Sequence, residues 1–397
     1  MTPLVLGWLS RKLTAGSLDI DLPDGKSVTI GRGAPRARIR FASEAALRWV
    51  LKDPRMRFPE AYVDGLWEPE NDELLPVIEV AIRNANGLLS SASRQLRIVR
   101  ARLGELNTAI SARRNISHHY DIDTPVYRLF LDRELHYSCA YFPDPDMSLE
   151  AAQEAKCALI ARKLDLRPGA HVLDIGCGWG SNALFLARNH DVHVTGITLS
   201  ERQLEVAQQR AREAGMEDRV TFRLEDYRRT RGTFDAVVSI GMFEHVGRPQ
   251  YNTFFARVRE LLAPDGVALL HTIGSAHRPD EGSPWIRKYI FPGGYIPAAS
   301  EVMPAVERSG LVMTDFEVLR LHYAETLAHW HRRFQDNRAE IARIMGERFC
   351  RMWRFYLQAS EGTFRWGGLE VFHLQLTRDQ ARIPLTRAYL FSDSSAG

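Results

Sequence analysis

The chain of 397 residues holds only four cysteines, Cys139, Cys157, Cys177 and Cys350, and no two stand in CxxC spacing. That scatter points away from a disulfide framework and from a cysteine zinc site, and it fits a reducing cytoplasm. No apolar run approaches the roughly 20 residues that a spanning helix requires. At the start, Arg11 and Lys12 follow the short apolar stretch instead of preceding it, so neither a signal peptide nor a membrane anchor is expected. A formal net charge of +3 leaves little excess of either sign, which argues against bulk nucleic-acid binding. Internal repeats and low-complexity segments are also missing.

What is present is an ordinary globular composition, 45% hydrophobic, long enough for two or three domains. Alternating apolar residues from Leu18 to Phe41, around the turn Pro23-Asp24-Gly25-Lys26, predict a small β unit with a hairpin. Helical patterns follow at Ala45 to Leu51 and, around a turn at Glu68-Pro69-Glu70-Asn71, from Glu60 to Ile82. Between Ser93 and Arg114, Arg94, Arg97, Arg100, Arg102, Arg113 and Arg114 face the single acid Glu105 and interleave with apolar residues. Such a stretch is either a solvated helix face or a surface for anionic lipid.

From Ser148 onward the pattern changes. A helix to Leu164 precedes a strand at His171 to Ile175. Strands then alternate with helices through His193 to Ile197, Glu201 to Ala214, Val220 to Leu224, Phe234 to Ile240, Tyr251 to Leu262 and Val267 to Thr272. This is the grammar of a parallel, doubly wound α/β sheet, whose ligands bind beyond the carboxyl ends of the strands. His277 to Pro297 has no period and is expected as a long ordered loop or lid. Leu319 to Ala359 reads as helical and aromatic, with Tyr323, Leu327, Trp330 and Phe334 on one face. Val371 to Leu376 closes the pattern as a strand.

The run Val172-Leu173-Asp174-Ile175-Gly176-Cys177-Gly178-Trp179-Gly180 carries the strongest signal. A buried strand leads into alternate glycines that permit a tight turn and let a ligand lie against the main chain. Dehydrogenases use a similar loop for a pyrophosphate. They also place an acid at the end of the second strand, where this sequence has Thr198, then Leu199 and Ser200. The GxGxG pattern with Asp174 upstream resembles the first motif of class I methyltransferases, which implies S-adenosylmethionine as cofactor. By position, the resemblance assigns Asp174, Gly176, Cys177, Gly178 and Gly180 to the methionine end. It assigns Thr198, Leu199, Ser200 and Gln203, then Asp226 and Tyr227, to ribose and adenine.

Further motifs stand in order: His119-Tyr120-Asp121, Tyr137-Ser138-Cys139-Ala140-Tyr141-Phe142, Gly241-Met242-Phe243-Glu244-His245-Val246-Gly247, His271-Thr272-Ile273-Gly274 and Trp285 to Pro292. Together they resemble the cyclopropane-fatty-acyl-phospholipid synthases and their mycolic-acid relatives from about His119 to the end. The preceding region resembles the amino-terminal domain of the full-length bacterial synthases. One departure falls at Ile122-Asp123-Thr124, where many relatives carry a polar pair such as Gly-Asn.

The resemblance implies an amino-terminal docking or dimerisation domain over 1–114 and a catalytic domain over 115–397, with a lid and acyl-chain cap over 276–370. It implies methylene transfer from S-adenosylmethionine to the double bond of an unsaturated phospholipid acyl chain, through a carbocation deprotonated by bound bicarbonate. Cys139, Glu244, His271, Ile273 and Tyr323 would hold that anion, Tyr137 and Ser138 would join the cofactor site, and Tyr289, Phe291 and Trp330 would line an acyl tunnel. The implied partners are a phospholipid bilayer, met peripherally from the cytoplasm, and a second copy of the chain.

Each of these residues also has a plainer reading. Cys139 suits a small buried hydrophobe, His271 a satisfied core histidine, and Tyr323 a packing aromatic. Glu244 with His245 lacks a third ligand at suitable spacing, so no metal is expected. Rival functions are a methyl-branched, methylene or hydroxylated acyl product, methylation of a small amine or phenol, and a non-catalytic binding relative.

Overall fold

A computed structural model describes residues 12–85 and 124–391. The basic stretch at 93–114 and the His119-Tyr120-Asp121 motif lie outside them. Contacts divide the chain into two compact units. One joins the amino-terminal segments with Asp280–Pro292 and Ala324–Leu369, and the other holds the glycine-loop region with Gly293–Tyr323 and the segment from residue 370.

In the first unit, alternation produces β1 (Gly16–Asp21), β2 (Ser27–Arg32) and β3 (Arg36–Phe41). Ala37, Ile39 and Phe41 of β3 turn inward while Arg36, Arg38 and Arg40 turn out. β1 and β2 form the expected hairpin, with Leu18 opposite Ile30. β3 returns parallel to β1, and the short β4 (Trp67–Pro69) completes the order β2-β1-β3-β4. Alternation alone marks a strand but not its direction, so the parallel return was not legible. Helices Glu44–Leu51, Pro54–Val63 and Leu74–Asn84 cover this sheet's part of the chain. Ser43 starts the first of them by accepting the Ala46 N–H at 3.0 Å.

The core of this unit is aromatic and comes from distant parts of the chain. Trp67 stacks on Phe58 with ring centres 4.4 Å apart, and Tyr62 meets Phe355 at 5.7 Å. Phe355 also meets Trp285 edge-on at 5.3 Å. Glu60 accepts from Lys288 Nζ at 3.0 Å and from the Tyr289 hydroxyl at 2.7 Å. A Cβ on Gly362 would come within 2.7 Å of Ile78, so the helix Glu347–Trp366 packs closely only because a glycine stands there.

The second unit contains β5 (Ala170–Ile175), β6 (Val192–Thr198), β7 (Val220–Leu224), β8 (Phe234–Ile240), β9 (Leu262–Ser275), β10 (Val312–Val318) and β11 (Leu369–Thr377). Their order is β10-β11-β9-β8-β5-β6-β7. β5 runs parallel to both β6 and β8, and only β10 against β11 is antiparallel among the pairs described. From β5 the chain winds first to β6 and β7 and then back to β8 and β9. That reversal opens a crevice at the carboxyl end of β5.

The expected lid at His277 to Pro297 contains a short helix, Pro284–Tyr289, with Ser283 as its cap and proline in its first turn. Helix Ala299–Ser309 and β10 were not read from the sequence. β10 is an edge strand with no fully buried residue, so it carries no alternating signal. The helical stretch expected from Leu319 is three helices, His322–Asp336, Arg338–Met345 and Glu347–Trp366. Among the described residues, no helix is long and apolar enough to cross a membrane.

Candidate active site

The glycine loop turns sharply from β5 into the helix Ser181–Asn189. The Gly176 and Cys177 N–H groups both donate to the Ile197 carbonyl, at 2.9 and 3.0 Å, which ties the loop to β6. Gly178 has φ +56°, and a Cβ built on it would meet no protein atom within 4 Å. Main chain is therefore exposed to a cavity of about 1180 Å³, part of it open to solvent.

Eleven of the thirteen residues assigned to the cofactor line this one cavity: Tyr137, Ser138, Asp174, Gly176, Cys177, Gly178, Thr198, Leu199, Gln203, Asp226 and Tyr227. Gly180 and Ser200 do not. Gly180 precedes the helix with φ +81° and Phe222 packed behind it, and Ser200 caps the helix Glu201–Glu213 by accepting the Gln203 N–H at 3.2 Å. Thr198 donates its hydroxyl to Gln203 Oε1 at 3.0 Å.

Electrostatics in the cavity follow from burial. Asp174 is buried, and this pushes its carboxyl up to about 7, against the opposing effects of the Asn182 amide and the nearby Lys156. A cationic ligand beside it would favour the carboxylate. Burial also pushes Asp226 up, but three bonds from Arg228 outweigh it and hold the carboxyl below its usual range. Tyr227 is pushed up to about 12 and His245 down to about 4, both by burial.

Sequence reasoning missed Lys156, His136, Asn182 and Arg228, which line the same cavity. Lys156 is completely buried and donates to the Ser138 hydroxyl at 3.0 Å. One signal pointed to it: Lys156 falls on the apolar stripe of Leu149, Ala152 and Ile160, where a solvated lysine has no place.

Three of the five residues assigned to the anion, Glu244, His271 and Ile273, lie at the ends of β8 and β9. The short turn Phe243–His245 follows β8 and carries Glu244, whose Oε1 accepts the Ile273 N–H at 2.5 Å. Glu244 Oε2 has no hydrogen-bond partner among the described residues. Burial raises the Glu244 carboxyl above its usual range, opposed by the Ile273 main chain, its own main chain and the Thr272 side chain. His271 stands two residues before Ile273 on β9, and its Nδ1 lies 2.7 Å from His373 Nε2. Cys139 is buried and its thiol bonds the Ala140 carbonyl at 3.2 Å. Tyr323 is buried on the first turn of the helix His322–Asp336. Its neighbour His322 accepts the Phe142 N–H at 3.1 Å, which ties that turn to the segment following Cys139.

Tyr289, Phe291 and Trp330 belong to the first unit. There Tyr289 bonds Glu60, Phe291 meets Tyr356 edge-on at 5.8 Å, and Trp330 is fully buried.

A doubly wound sheet with a main-chain glycine cradle at its switch point, and no acid after the second strand, defines a class I methyltransferase fold. The chain is an S-adenosylmethionine-dependent methyltransferase. Residues 107–374 match the family described as mycolic acid cyclopropane synthetase, and the chain belongs to that family. Residues 8–93 match a separate domain of unknown function. The chain is 39% identical over 353 residues to the cyclopropane-fatty-acyl-phospholipid synthase of Escherichia coli strain K12, covering 88% of this chain and 90% of that one. It is 34% identical over 384 residues to the tuberculostearic acid methyltransferase UfaA1 of Mycobacterium tuberculosis, covering 92% and 89%. The crystal structure of mycolic acid cyclopropane synthase CmaA1 with SAH and CTAB superposes at a TM-score of 0.64, with 35% identity over 68% of this chain and 99% of that one.

Proposed function

We propose that this enzyme adds a methylene group to the cis double bond of an unsaturated phospholipid acyl chain, giving a cyclopropane, with bicarbonate as the base. The observation that carries this reading is Glu244. It is a buried carboxyl with one oxygen engaged by the Ile273 main chain and the other unpartnered among the described residues, in a chain similar along most of its length to a cyclopropane-forming relative.

The donor chemistry fits an oxyanion. Burial raises the Glu244 carboxyl above its usual range, and in its acid form Glu244 would offer an O–H from Oε2 while Oε1 accepts from Ile273. His271 and Tyr323 are the further donors of the set, and the Cys139 thiol would join them by turning away from the Ala140 carbonyl. Lined by the glycine loop and Asp174, the cavity has the main-chain exposure and the acid that a methionine moiety and its cationic groups require. When bound, S-adenosylmethionine supplies an electrophilic methyl group and bicarbonate a proton acceptor. The protein's own task is to keep water from a cationic acyl chain and to aim its donors, because water would trap that cation as an alcohol.

The test is to incubate the enzyme with S-adenosylmethionine and vesicles of mono-unsaturated phospholipid, then analyse the lipid by mass spectrometry. A product heavier by one CH2 that resists mild hydrogenation supports a ring. Glu244→Gln and Tyr323→Phe should lose turnover while keeping cofactor binding, and unchanged turnover in both would remove these roles. A second reading, a methyl-branched or methylene product, is favoured by the similarity to UfaA1. A product heavier by one CH2 that takes up hydrogen would select the methylene form or an unsaturated methyl branch, whereas a saturated methyl branch is two hydrogens heavier and would need an added hydride donor.

The same proposal includes peripheral docking on a cytoplasmic bilayer surface, supported by the basic amphipathic run between Ser93 and Arg114. Vesicle flotation should favour anionic lipid and weaken with salt. Equal binding to neutral vesicles in high salt would overturn the electrostatic part. Assembly as a homodimer is proposed on the family resemblance, and light scattering of the full chain tests it.

A further inference from the structure

His373 belongs to β11, the neighbour of β9 in the sheet, and its Nε2 meets His271 Nδ1 at 2.7 Å. Both rings are buried. Burial, with Lys156 and Lys163 adding to it, pushes His271 down to about 3. Burial likewise drives His373 well below its usual range, reinforced by His271, Lys163, Lys156 and His322. Both imidazoles are therefore neutral, and one proton lies between them.

Only two arrangements remain. If His271 donates, His373 carries its own proton on Nδ1, an atom with no partner among the described residues. That is an orphaned buried N–H beside cationic lysines. If His373 donates, its Nδ1 is a bare lone pair, which the same lysines favour, and orphaned donors are the rarer defect in folded proteins. The second arrangement leaves the His271 proton on Nε2, the ring nitrogen that does not meet His373.

We propose that His373 is a positioning residue: by donating Nε2–H to His271 Nδ1 it fixes the His271 ring as the Nε2–H tautomer, so that His271 presents a donor and not a lone pair to an oxyanion. This rests on the reading of His271 as part of the anion site. Without His373 the ring is free to turn and to exchange tautomers, and a lone pair facing an anion repels it.

The full-length protein, labelled with nitrogen-15 at histidine and saturated with S-adenosylhomocysteine, gives the direct test by NMR. His271 should show a protonated Nε2 and a bare Nδ1, with its signals assigned through the His271→Gln and His373→Gln spectra. Turnover gives the second readout. The glutamine of His373→Gln can donate an amide N–H to the same nitrogen, so it should keep kcat within about threefold, whereas His373→Leu should lose about tenfold or more. The leucine variant should also raise the KM for bicarbonate and leave the thermal shift with S-adenosylhomocysteine unchanged. A bicarbonate-dependent wild-type enzyme with the His271 proton on Nδ1, or His373→Leu with normal kcat and KM, would overturn the inference alone. A wild-type enzyme indifferent to bicarbonate would overturn the reading on which it rests.

Discussion

Two histidines of the catalytic unit are equally hidden from water and end with opposite charge tendencies. His136 has Nδ1 at 2.8 Å from Asp132 Oδ2 and Nε2 at 3.3 Å from Cys157 Sγ. Burial and Lys156 pull its pKa down, but Cys157 and Asp132 outweigh them and it finishes raised. His271 has another imidazole as its partner and falls to about 3. Burial is common to both, so the partner decides. A carboxylate and a thiol stabilise an imidazolium, while a second neutral ring offers it nothing and only shares a proton.

The comparison breaks most visibly if the counter-charge is removed. Asp132→Asn strands His136 and should cost about 3–5 kcal/mol, the range for one partner lost from a buried pair. Urea unfolding at neutral pH measures it, and a loss under about 1 kcal/mol would mean that His136 is not held as a cation.

Next in size is the response to acid, where the two sites act in opposite directions. His271 and His373 have folded pKa values below the unfolded value, so their share of stability is complete above about pH 6.5 and is lost as pH falls toward the folded values. Each contributes a slope of about 1.4 kcal/mol per pH unit in that window. His373→Gln should therefore lose stability more gently than wild type between about pH 6 and pH 4, and parallel curves would contradict it. His136 is raised, so its contribution is present below about pH 6.5 and lost as pH rises through its folded value. In His136→Gln, with its imidazole gone, the alkaline side of the profile should flatten.

The smallest effect sharpens the assignment within the first site. Cys157→Ala keeps the His136–Asp132 contact and should cost only about 1 kcal/mol. A loss equal to that of Asp132→Asn would make the thiol the principal partner instead.

How much of this could be read from the sequence depended on chain distance. The glycine loop is local: nine consecutive residues announce strand, turn and helix, and the cavity formed where they indicated. The alternation of strands with helices from Ser148 to Thr272 is local in the same sense, and its boundaries agree to within a few residues apart from β9, which begins at Leu262. Lys156 left a weaker trace, a charge on a greasy stripe. His373 left none, because its partner is 102 residues away and no pattern in β11 distinguishes a ring that meets His271 from one that packs. The Glu244 bond to Ile273 bridges 29 residues and likewise needed coordinates. Edge strand β10 was missed because half-exposure on both faces erases alternation.

The aromatic core of the first unit has a consequence for how the molecule is made. Arg351 bonds the Tyr62 carbonyl across 289 positions of chain, and Phe355 and Trp285 close the same core. A ribosome therefore releases Tyr62 long before Arg351 and Phe355 exist to cover it. During synthesis the amino-terminal portion must wait with part of its apolar surface uncovered, so it is the portion most dependent on chaperones and the least suited to expression as a separate fragment.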